Sequence, residues 1–124
     1  MKFVCLGYLD EAAWNAIPES ERQSFMQNCF AYDEELRRNG HWVGGEGLYP
    51  AAETVTLKIR NGSAMAIDGP FVETKEHIGG ILIIDARDMA HAVALMSKHP
   101  GVKAGPFEIR RAYDDVKSLL DTTK

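Results

Sequence analysis

The stretch TVTLKIRNGSAMAI, residues 54–67, decides the fold class. In its first half apolar residues occupy every second position, which is the pattern of a strand with one apolar side. Asn61 and Gly62 follow at once, and this pair favours a two-residue turn because both residues tolerate a positive φ angle. The stretch therefore predicts a β-hairpin whose second strand, residues 63–67, returns antiparallel to the first.

The sequence on either side of this hairpin supplies the other elements of an α+β domain. Apolar runs predict strands over residues 2–9, 80–84 and 107–112, and the glycine-rich residues 41–49 predict an irregular strand with a bulge or bend. Helical spacing predicts one helix that ends before Gly40 and a second from Met89 to about Lys98. Two starts of the first helix stay open, because Pro18 suits a first turn and Ser20 with Gln23 fits a capping box. The order strand, helix, strand with hairpin, strand, helix, strand predicts a mostly antiparallel sheet in a ferredoxin-like arrangement.

Side-chain spacing in the two helices predicts which residues face the sheet. The first helix carries an apolar stripe formed by Phe25, Cys29, Tyr32 and Leu36. The second helix is expected to turn three apolar side chains inward: Met89, Val93 and Met96. A solvated face is expected for the acidic run Asp33, Glu34 and Glu35. Two histidines are expected to be exposed or to cap a helix end: His91 and His99.

Length and composition are those of one folded domain. The 124 residues are expected to form a single domain, residues 1–124, with residues 113–124 as a C-terminal tail. An apolar content of 45% and a charged content of 26% are ordinary for a globular chain. The net charge of −4, with no Lys/Arg run longer than a pair, argues against nucleic acid as a partner.

The N-terminal sequence and the cysteines predict a cytoplasmic location. No stretch reaches the roughly 18 apolar residues that a membrane helix needs. Asp10 and Glu11 interrupt the first apolar run too early for a signal peptide. Cys5 and Cys29 fall on apolar positions, which predicts buried thiols in a reducing compartment. We therefore expect a cytoplasmic protein without a membrane segment.

Two predicted strands are apolar on both faces, at residues 3–6 and 81–84. Because two helices can cover only one face of a sheet, the second face needs another cover. The tail from residue 113 is too short and too polar to hide a whole sheet. A second copy of the chain would cover it most simply, so we expect a two-fold homodimer.

The sequence holds one concentration of chemically active side chains. It contains no HxxxH or CxxC spacing, P-loop, GxGxxG after a strand or GxSxG elbow, so we predict neither a metal site nor an organic cofactor. The stretch IDGPFVETKEHIGG, residues 67–80, instead brings together five titratable side chains: Asp68, Glu73, Lys75, Glu76 and His77. This stretch is the candidate site.

The candidate site has two interpretations. In the first it is a solvated loop, in which the carboxylate of Asp68 accepts hydrogen bonds from the next backbone amides and Phe71 belongs to the core. In the second, Asp68 lies at the mouth of an apolar cleft, where lost solvation makes it a usable general acid or base. The choice depends on whether Asp68 is satisfied by its own loop or lines a cavity.

In the second interpretation the neighbouring residues take specific roles. His77 is the other catalytic candidate, because histidine is the side chain that most readily changes charge near neutral pH. Lys75 would anchor an anionic substrate, with three further residues beside it: Gly69, Phe71 and Glu73. His41, near the start of the second strand, joins the site only if the fold brings it to the same cleft.

The segment DGPFVETKEHIGG, residues 68–80, resembles the signature of the YCII-related (DGPF-domain) proteins. The likeness extends over nearly the whole chain, including the GGE-x-L element at residues 44–48 and the closing Glu-Ile-Arg strand at residues 108–110. Val72 stands where the family usually has alanine, and Ala112 where proline is common. The resemblance implies a dimeric α+β barrel of ferredoxin-like protomers with a site near the DGPF segment.

The resemblance implies little about the reaction. A distant member of the wider family is a dehydrochlorinase that acts on a chlorinated hydroquinone, and some relatives are associated with extracytoplasmic-function sigma factors. Our first hypothesis is a cofactor-free enzyme that performs proton-transfer or elimination chemistry on a small acidic or aromatic substrate. The alternative is a non-catalytic binding or regulatory dimer module, linked to sigma-factor systems, in which the DGPF loop is structural.

Overall fold

The computed structural model describes residues 1–120. Its strands are β1 (Lys2–Asp10), β2 (Trp42–Gly47), β3 (Val55–Arg60), β4 (Ser63–Asp68), β5 (Glu76–Asp85) and β6 (Phe107–Arg111). Its helices are α1 (Glu11–Asn15), α2 (Glu19–Arg38) and α3 (Met89–Met96). Turns of 3-10 helix occupy Ala51–Glu53, Pro100–Lys103 and Val116–Leu120. Within residues 1–120, no helix is long and apolar enough to cross a membrane.

Four strands form one antiparallel sheet in the order β2-β5-β1-β6. Helix α2 connects β1 to β2 and helix α3 connects β5 to β6, and in each case the two connected strands flank an antiparallel one. This is the split βαβ pattern, so the predicted ferredoxin-like α+β fold is confirmed. Strands β3 and β4 form a separate two-stranded hairpin between β2 and β5. Its turn residues Asn61 and Gly62 have φ angles of 53° and 80°, as predicted.

The core lies between the sheet and the helices. Phe3 and Cys5 of β1 alternate with outward-facing residues and pair across the strands with Ile84 and Leu82. Leu36 of α2 is 2% exposed, which confirms the end of the predicted stripe on this helix. Burial of these side chains is the main source of stability, because apolar surface removed from water contributes about 25 cal/mol per Å².

The two ends of α2 are determined by backbone conformation and not by a hydrogen bond from a capping side chain. The helix begins at Glu19, directly after Pro18, and no side chain caps its first turn, so the capping box predicted at Ser20 and Gln23 is wrong. Proline suits this position because its fixed φ angle leads into a helix. Gly40 follows the last turn with a φ angle of 79°, which is the predicted glycine at the end of the helix.

Helix α3 is shorter than predicted and rotated about its axis. It ends at Met96, and the buried side chains are those of Ala92 and Met96, one helical turn apart. Met89 and Val93 are 43% and 49% exposed, so their predicted inward orientation is wrong. The rotation is set where Asp88 caps the helix, with its carboxylate accepting a hydrogen bond from the N–H of His91.

The sheet face turned away from the helices is also apolar. Val4, Leu6, Ile81 and Ile83 alternate with the core residues of β1 and β5 and remain half-buried. On the hairpin, the predicted apolar side is strongly exposed, at 59%, 70% and 70% for Val55, Leu57 and Ile59. These surfaces are the ones for which the sequence predicted a second copy of the chain as the cover.

Two predicted boundaries differ from the structure. Strand β5 begins at Glu76 rather than Gly80, so Glu76 and His77 belong to a strand instead of a loop. The predicted C-terminal tail, residues 113–124, contains the 3-10 turn Val116–Leu120, and its last four residues lie outside the described part of the chain.

Candidate functional site

The DGPF segment, residues 68–71, forms the base of the hairpin. Gly69 has a φ angle of 99°, a left-handed value that residues with a side chain rarely adopt. The N–H of Gly69 donates to the carbonyl of Thr54 at 2.7 Å, and the carbonyl of Gly69 accepts from the hydroxyl of Thr56 at 2.7 Å. The segment thereby joins the end of β4 to the start of β3.

Asp68 does not hold this turn. Its side chain is exposed, and its carboxylate accepts no hydrogen bond within the part of the chain that the structure describes. The predicted Asp68 turn is therefore wrong, because the backbone of Gly69 and the hydroxyl of Thr56 already satisfy the connection. Asp68 pairs across the hairpin with Val55, on the exposed apolar side.

A cavity of about 730 Å³ lies beside the DGPF segment, on the side of the sheet away from α2. The cross-strand pair Tyr8 and Ile78 contributes to its lining. Of the predicted site residues, Phe71 and His77 line this cavity with Glu76, whereas Asp68 does not. Gly69 and Glu73 lie outside it as well.

Phe71 is 77% exposed, so its predicted place in the core is wrong. The reason is topological. The hairpin forms a sheet of its own, and residues 69–75 connect it to β5 without a second layer above them. Phe71 therefore stands at the entrance of the cavity.

Lys75 lines an adjoining cavity of about 410 Å³ with Tyr8 and Glu108. A hydrogen bond to Glu108, partial desolvation and the charge of this carboxylate together raise the pKa of the Tyr8 hydroxyl. His41 is not part of this region. Its Nδ1 lies 3.0 Å from the carbonyl of Asp85, at the opposite end of β5 from His77 and about 26 Å away along the strand.

A second cavity, of about 600 Å³, lies between α2 and the helix-facing side of the sheet. Helix α2 contributes six residues to its lining, at positions 26, 29, 30, 33, 34 and 37. His99, in the connection after α3, lines the same cavity. The sequence did not predict this cavity, because its walls come from four separate parts of the chain: α2, β2, β5 and residues 99–107.

Asp33 and His99 form a hydrogen-bonded pair in the wall of this second cavity. Nε2 of His99 lies 2.8 Å from Oδ1 of Asp33, and the two side chains are 5% and 19% exposed. The N–H of Gly101 donates to Nδ1 of His99 at 2.9 Å. Because Nδ1 is an acceptor, Nε2 carries the proton and donates it to the carboxylate. The geometry thus fits a neutral imidazole that holds one oxygen of Asp33.

Aromatic rings fix the position of His99. The ring of Tyr32 stands edge-on to it at 5.5 Å, and the ring of Phe107 is tilted at 5.7 Å. The hydroxyl of Tyr32 in turn donates to the carbonyl of Leu95. His99 is therefore held on both ring nitrogens and packed between two rings, so that Asp33 is the member of the pair that reaches the open volume.

Cys29 lies one turn before Asp33 on α2 and lines the same cavity. Burial, together with the negative charge of Asp33, raises the pKa of the Cys29 thiol to about 11. The expected buried thiol is only half-buried, but it stays in the neutral form. Cys29 therefore lines the cavity as a thiol with a raised pKa.

The expected solvated face of α2 is wrong at its first residue. Asp33 turns toward the cavity, while Glu34 and Glu35 are exposed. The sequence contained a signal for this, because Asp33 follows Cys29 by four residues and so lies on the apolar stripe. Within residues 1–120, no group of three His, Cys, Asp or Glu side chains is arranged to hold a metal ion.

The fold and the two cavities define a class: a small ferredoxin-like α+β domain with a carboxylate–imidazole pair in the wall of the cavity beneath its long helix. The model of the YCII-related domain matches residues 1–114. The chain belongs to the YCII-related family, which confirms the resemblance carried by residues 68–80.

Two similar proteins cover nearly the whole chain. An uncharacterized protein of Rhizobium meliloti (strain 1021) is 28% identical over 112 residues, which span 89% of this chain and 90% of the relative. A solved structure with a TM-score of 0.51 and 18% identity covers 93% of this chain and 96% of its own. It is the 5-chloro-2-hydroxyhydroquinone dehydrochlorinase from Burkholderia phenoliruptrix AC1100 in complex with 2,5-dihydroxybenzoquinone. At this identity the likeness establishes the fold.

Proposed function

We propose that this protein is an enzyme that binds a small acidic or aromatic molecule between α2 and the sheet and transfers a proton to or from it through Asp33. The observation that carries the proposal is the Asp33–His99 pair in the wall of the 600 Å³ cavity. The dehydrochlorinase with the same fold acts on a small aromatic molecule, which agrees with this proposal.

Both side chains of the Asp33–His99 pair are largely withdrawn from water. A carboxylate and an imidazole withdrawn from water cost free energy unless each finds a partner. Besides Asp33, three residues hold the ring of His99: Gly101, Tyr32 and Phe107. In contrast, one oxygen of Asp33 accepts no hydrogen bond from residues 1–120. That oxygen is therefore available to a ligand.

The proposed step is general acid–base catalysis. The free oxygen of Asp33 takes a proton from a carbon or hydroxyl of the bound molecule, and the electron pair left behind forms a double bond as a leaving anion departs or is delocalised. The N–H of His99 stays on the other oxygen and keeps the carboxylate oriented. This step needs no metal or organic cofactor.

We further propose that the protein works as a homodimer. The half-buried apolar face of the sheet and the exposed apolar side of the hairpin support this, because soluble monomers rarely expose contiguous apolar patches of this size. In such a dimer the cavity beside the DGPF segment would be sheltered. The catalytic role predicted for His77 stays a prediction for that cavity, and the roles predicted for Asp68, Lys75 and Glu73, which do not line it, stay predictions as well.

A second candidate function is a non-catalytic binding or regulatory module, connected with sigma-factor systems. It is favoured by the DGPF segment itself, whose glycine is held by Thr54 and Thr56 and which therefore has a structural role at the base of the hairpin. In this case ligands would bind without turnover.

A thermal-shift screen with small phenols and carboxylic acids tests both functions. We expect at least one compound to stabilise the native chain, and this shift to disappear in Asp33→Asn while persisting in Asp68→Asn and His77→Gln. Loss of the shift only in the Asp68 or His77 variants would move the site to the DGPF cavity. Absence of any stabilising compound would contradict the small-molecule proposal.

A further inference from the structure

The sheet surface beneath α2 carries a row of residues that have no side chains. Gly7 of β1, Gly80 of β5 and Gly47 of β2 are paired directly across the three strands. They lie on the helix-facing side, because each is two residues along its strand from the row that contains Cys5 and Leu82. Bare backbone therefore runs across this part of the sheet.

Aromatic rings cover the backbone next to this row but leave its middle open. A Cβ at Gly7 would come within 2.8 Å of the ring of Phe107, so this ring lies over Gly7. A Cβ at Gly45 would come within 2.8 Å of the ring of Trp42. At Gly47 a Cβ would meet no atom within 4 Å.

Gly80 has no side chain above it, although its backbone neighbours lie closer than those of Gly47. The nearest atoms to a Cβ at this position belong to backbone, at 3.4 Å and 4.0 Å. Gly47 and Gly80 thus form an open backbone surface, flanked on one side by the ring of Phe107 and on the other by the ring of Trp42. We call this surface, Gly47 with Gly80, the glycine floor.

The glycine floor belongs to the cavity that contains Asp33 and His99. On the opposite side of this cavity, α2 carries the side chains of Met26 and Phe30, which are 45% and 62% exposed. The cavity is therefore a slot between α2, whose Met26 and Phe30 are apolar and whose Asp33, Glu34 and Arg37 are charged, and the backbone of the sheet.

We propose that this slot selects a planar ring, which lies flat against the backbone of Gly47 and Gly80 while its hydroxyl donates to Asp33. The proposal rests on the function proposed above and names the shape of its ligand. Face-to-face contact requires that no Cβ stands between the ring and the backbone. When two atoms are held about 1 Å beyond their best separation, up to about half of their dispersion attraction is lost. A puckered ring of the same size makes this contact with only part of its atoms.

The chain offers a matched pair of variants for the test. Gly47→Ala adds one methyl group to the glycine floor, whereas Gly44→Ala adds the same group on the opposite face of β2, where Gly44 pairs with Ile83. A Cβ at either position meets no atom within 4 Å, and neither glycine has a φ angle in the left-handed region. Both variants are therefore expected to fold.

The probes are phenol and cyclohexanol, which carry the same hydroxyl on a flat and on a puckered ring. Dissociation constants are measured by ligand-observed NMR titration of the full chain. We expect the native chain and Gly44→Ala to bind phenol about tenfold more tightly than cyclohexanol, and Gly47→Ala to lose about tenfold in phenol affinity. If Gly47→Ala melts below Gly44→Ala, Gly80→Ala replaces it.

Each other outcome overturns the proposal. Equal binding of phenol and cyclohexanol, equal phenol affinity of Gly47→Ala and Gly44→Ala, or no binding of either probe would each show that the slot does not select a planar ring. Asp33→Asn distinguishes a failure of the proposed function from a failure of the planar-ring proposal. If it loses phenol while Gly47→Ala keeps it, the proposed function stands and the glycine floor does not determine the ligand.

Discussion

The Asp33–His99 pair gives the sharpest prediction of stability. In Asp33→Ala, the Nε2–H of His99, whose side chain is 5% exposed in the native chain, loses its acceptor, whereas in Asp33→Asn the amide oxygen still accepts this hydrogen bond. A buried donor without a partner costs about 1–3 kcal/mol. Because Asp33 itself is 19% exposed and water can reach part of the site, we expect about 1–2 kcal/mol for Asp33→Ala and under about 1 kcal/mol for Asp33→Asn.

Equilibrium unfolding in urea measures both values, and Glu35→Ala is the matched control. Glu35 is on the same helix and is exposed, so its replacement is expected to change the free energy of unfolding by less than about 0.5 kcal/mol. The reasoning is refuted if Asp33→Ala unfolds like Glu35→Ala, or if Asp33→Asn is as unstable as Asp33→Ala. The ligand screen is then informative with Asp33→Asn, because its fold is preserved.

Three further predictions concern the thiols, the dimer and the DGPF turn. With a pKa of about 11, Cys29 is about one-thousandth thiolate at pH about 8, so its rate of alkylation should rise about tenfold per pH unit, and fast alkylation at pH about 8 would contradict this. The free energy of unfolding should fall as the pH rises from about 9 to 11, because the thiol of the unfolded chain ionises first. Sedimentation should find a dimer that Leu6→Lys dissociates and Lys58→Ala does not; a monomeric native chain would contradict the proposal. Gly69→Ala should destabilise by about 1 kcal/mol in urea unfolding through its φ angle of 99° alone, since a Cβ there meets no atom within 4 Å, and an unchanged midpoint would contradict this.

The hairpin and the sheet strands could be predicted from the sequence because their signals are local. Alternation in residues 54–60 and the Asn61-Gly62 turn act over neighbouring positions, and the structure reproduces both. The start of β5 was predicted too late in the chain, because that prediction also used only local signals. Glu76 and His77 are polar and follow a turn-rich stretch, and only pairing with Asp10 and Leu9 of β1 makes them part of a strand.

The Asp33–His99 pair could not be predicted in this way. Its two members are separated by 66 residues, and only the packing of α2 against the connection after α3 brings them together. The cavity beneath α2 depends equally on distant register, since Gly47 and Gly80 leave room only because they are directly paired. What the sequence did contain was a single carboxylate on an otherwise apolar helix stripe.

This difference shows which acidic residues are informative in a sequence. The charged residues between Asp68 and His77 are many, but charges in an exposed connection keep their water and cost little free energy, so their number alone does not indicate a site. A carboxylate at position 33 lies on the stripe that packs toward the sheet, where it is stable only with a partner such as His99. The isolated charge on an apolar face is therefore the stronger indication of a site, and it calls for a search of the distant sequence for the residue that pairs with it.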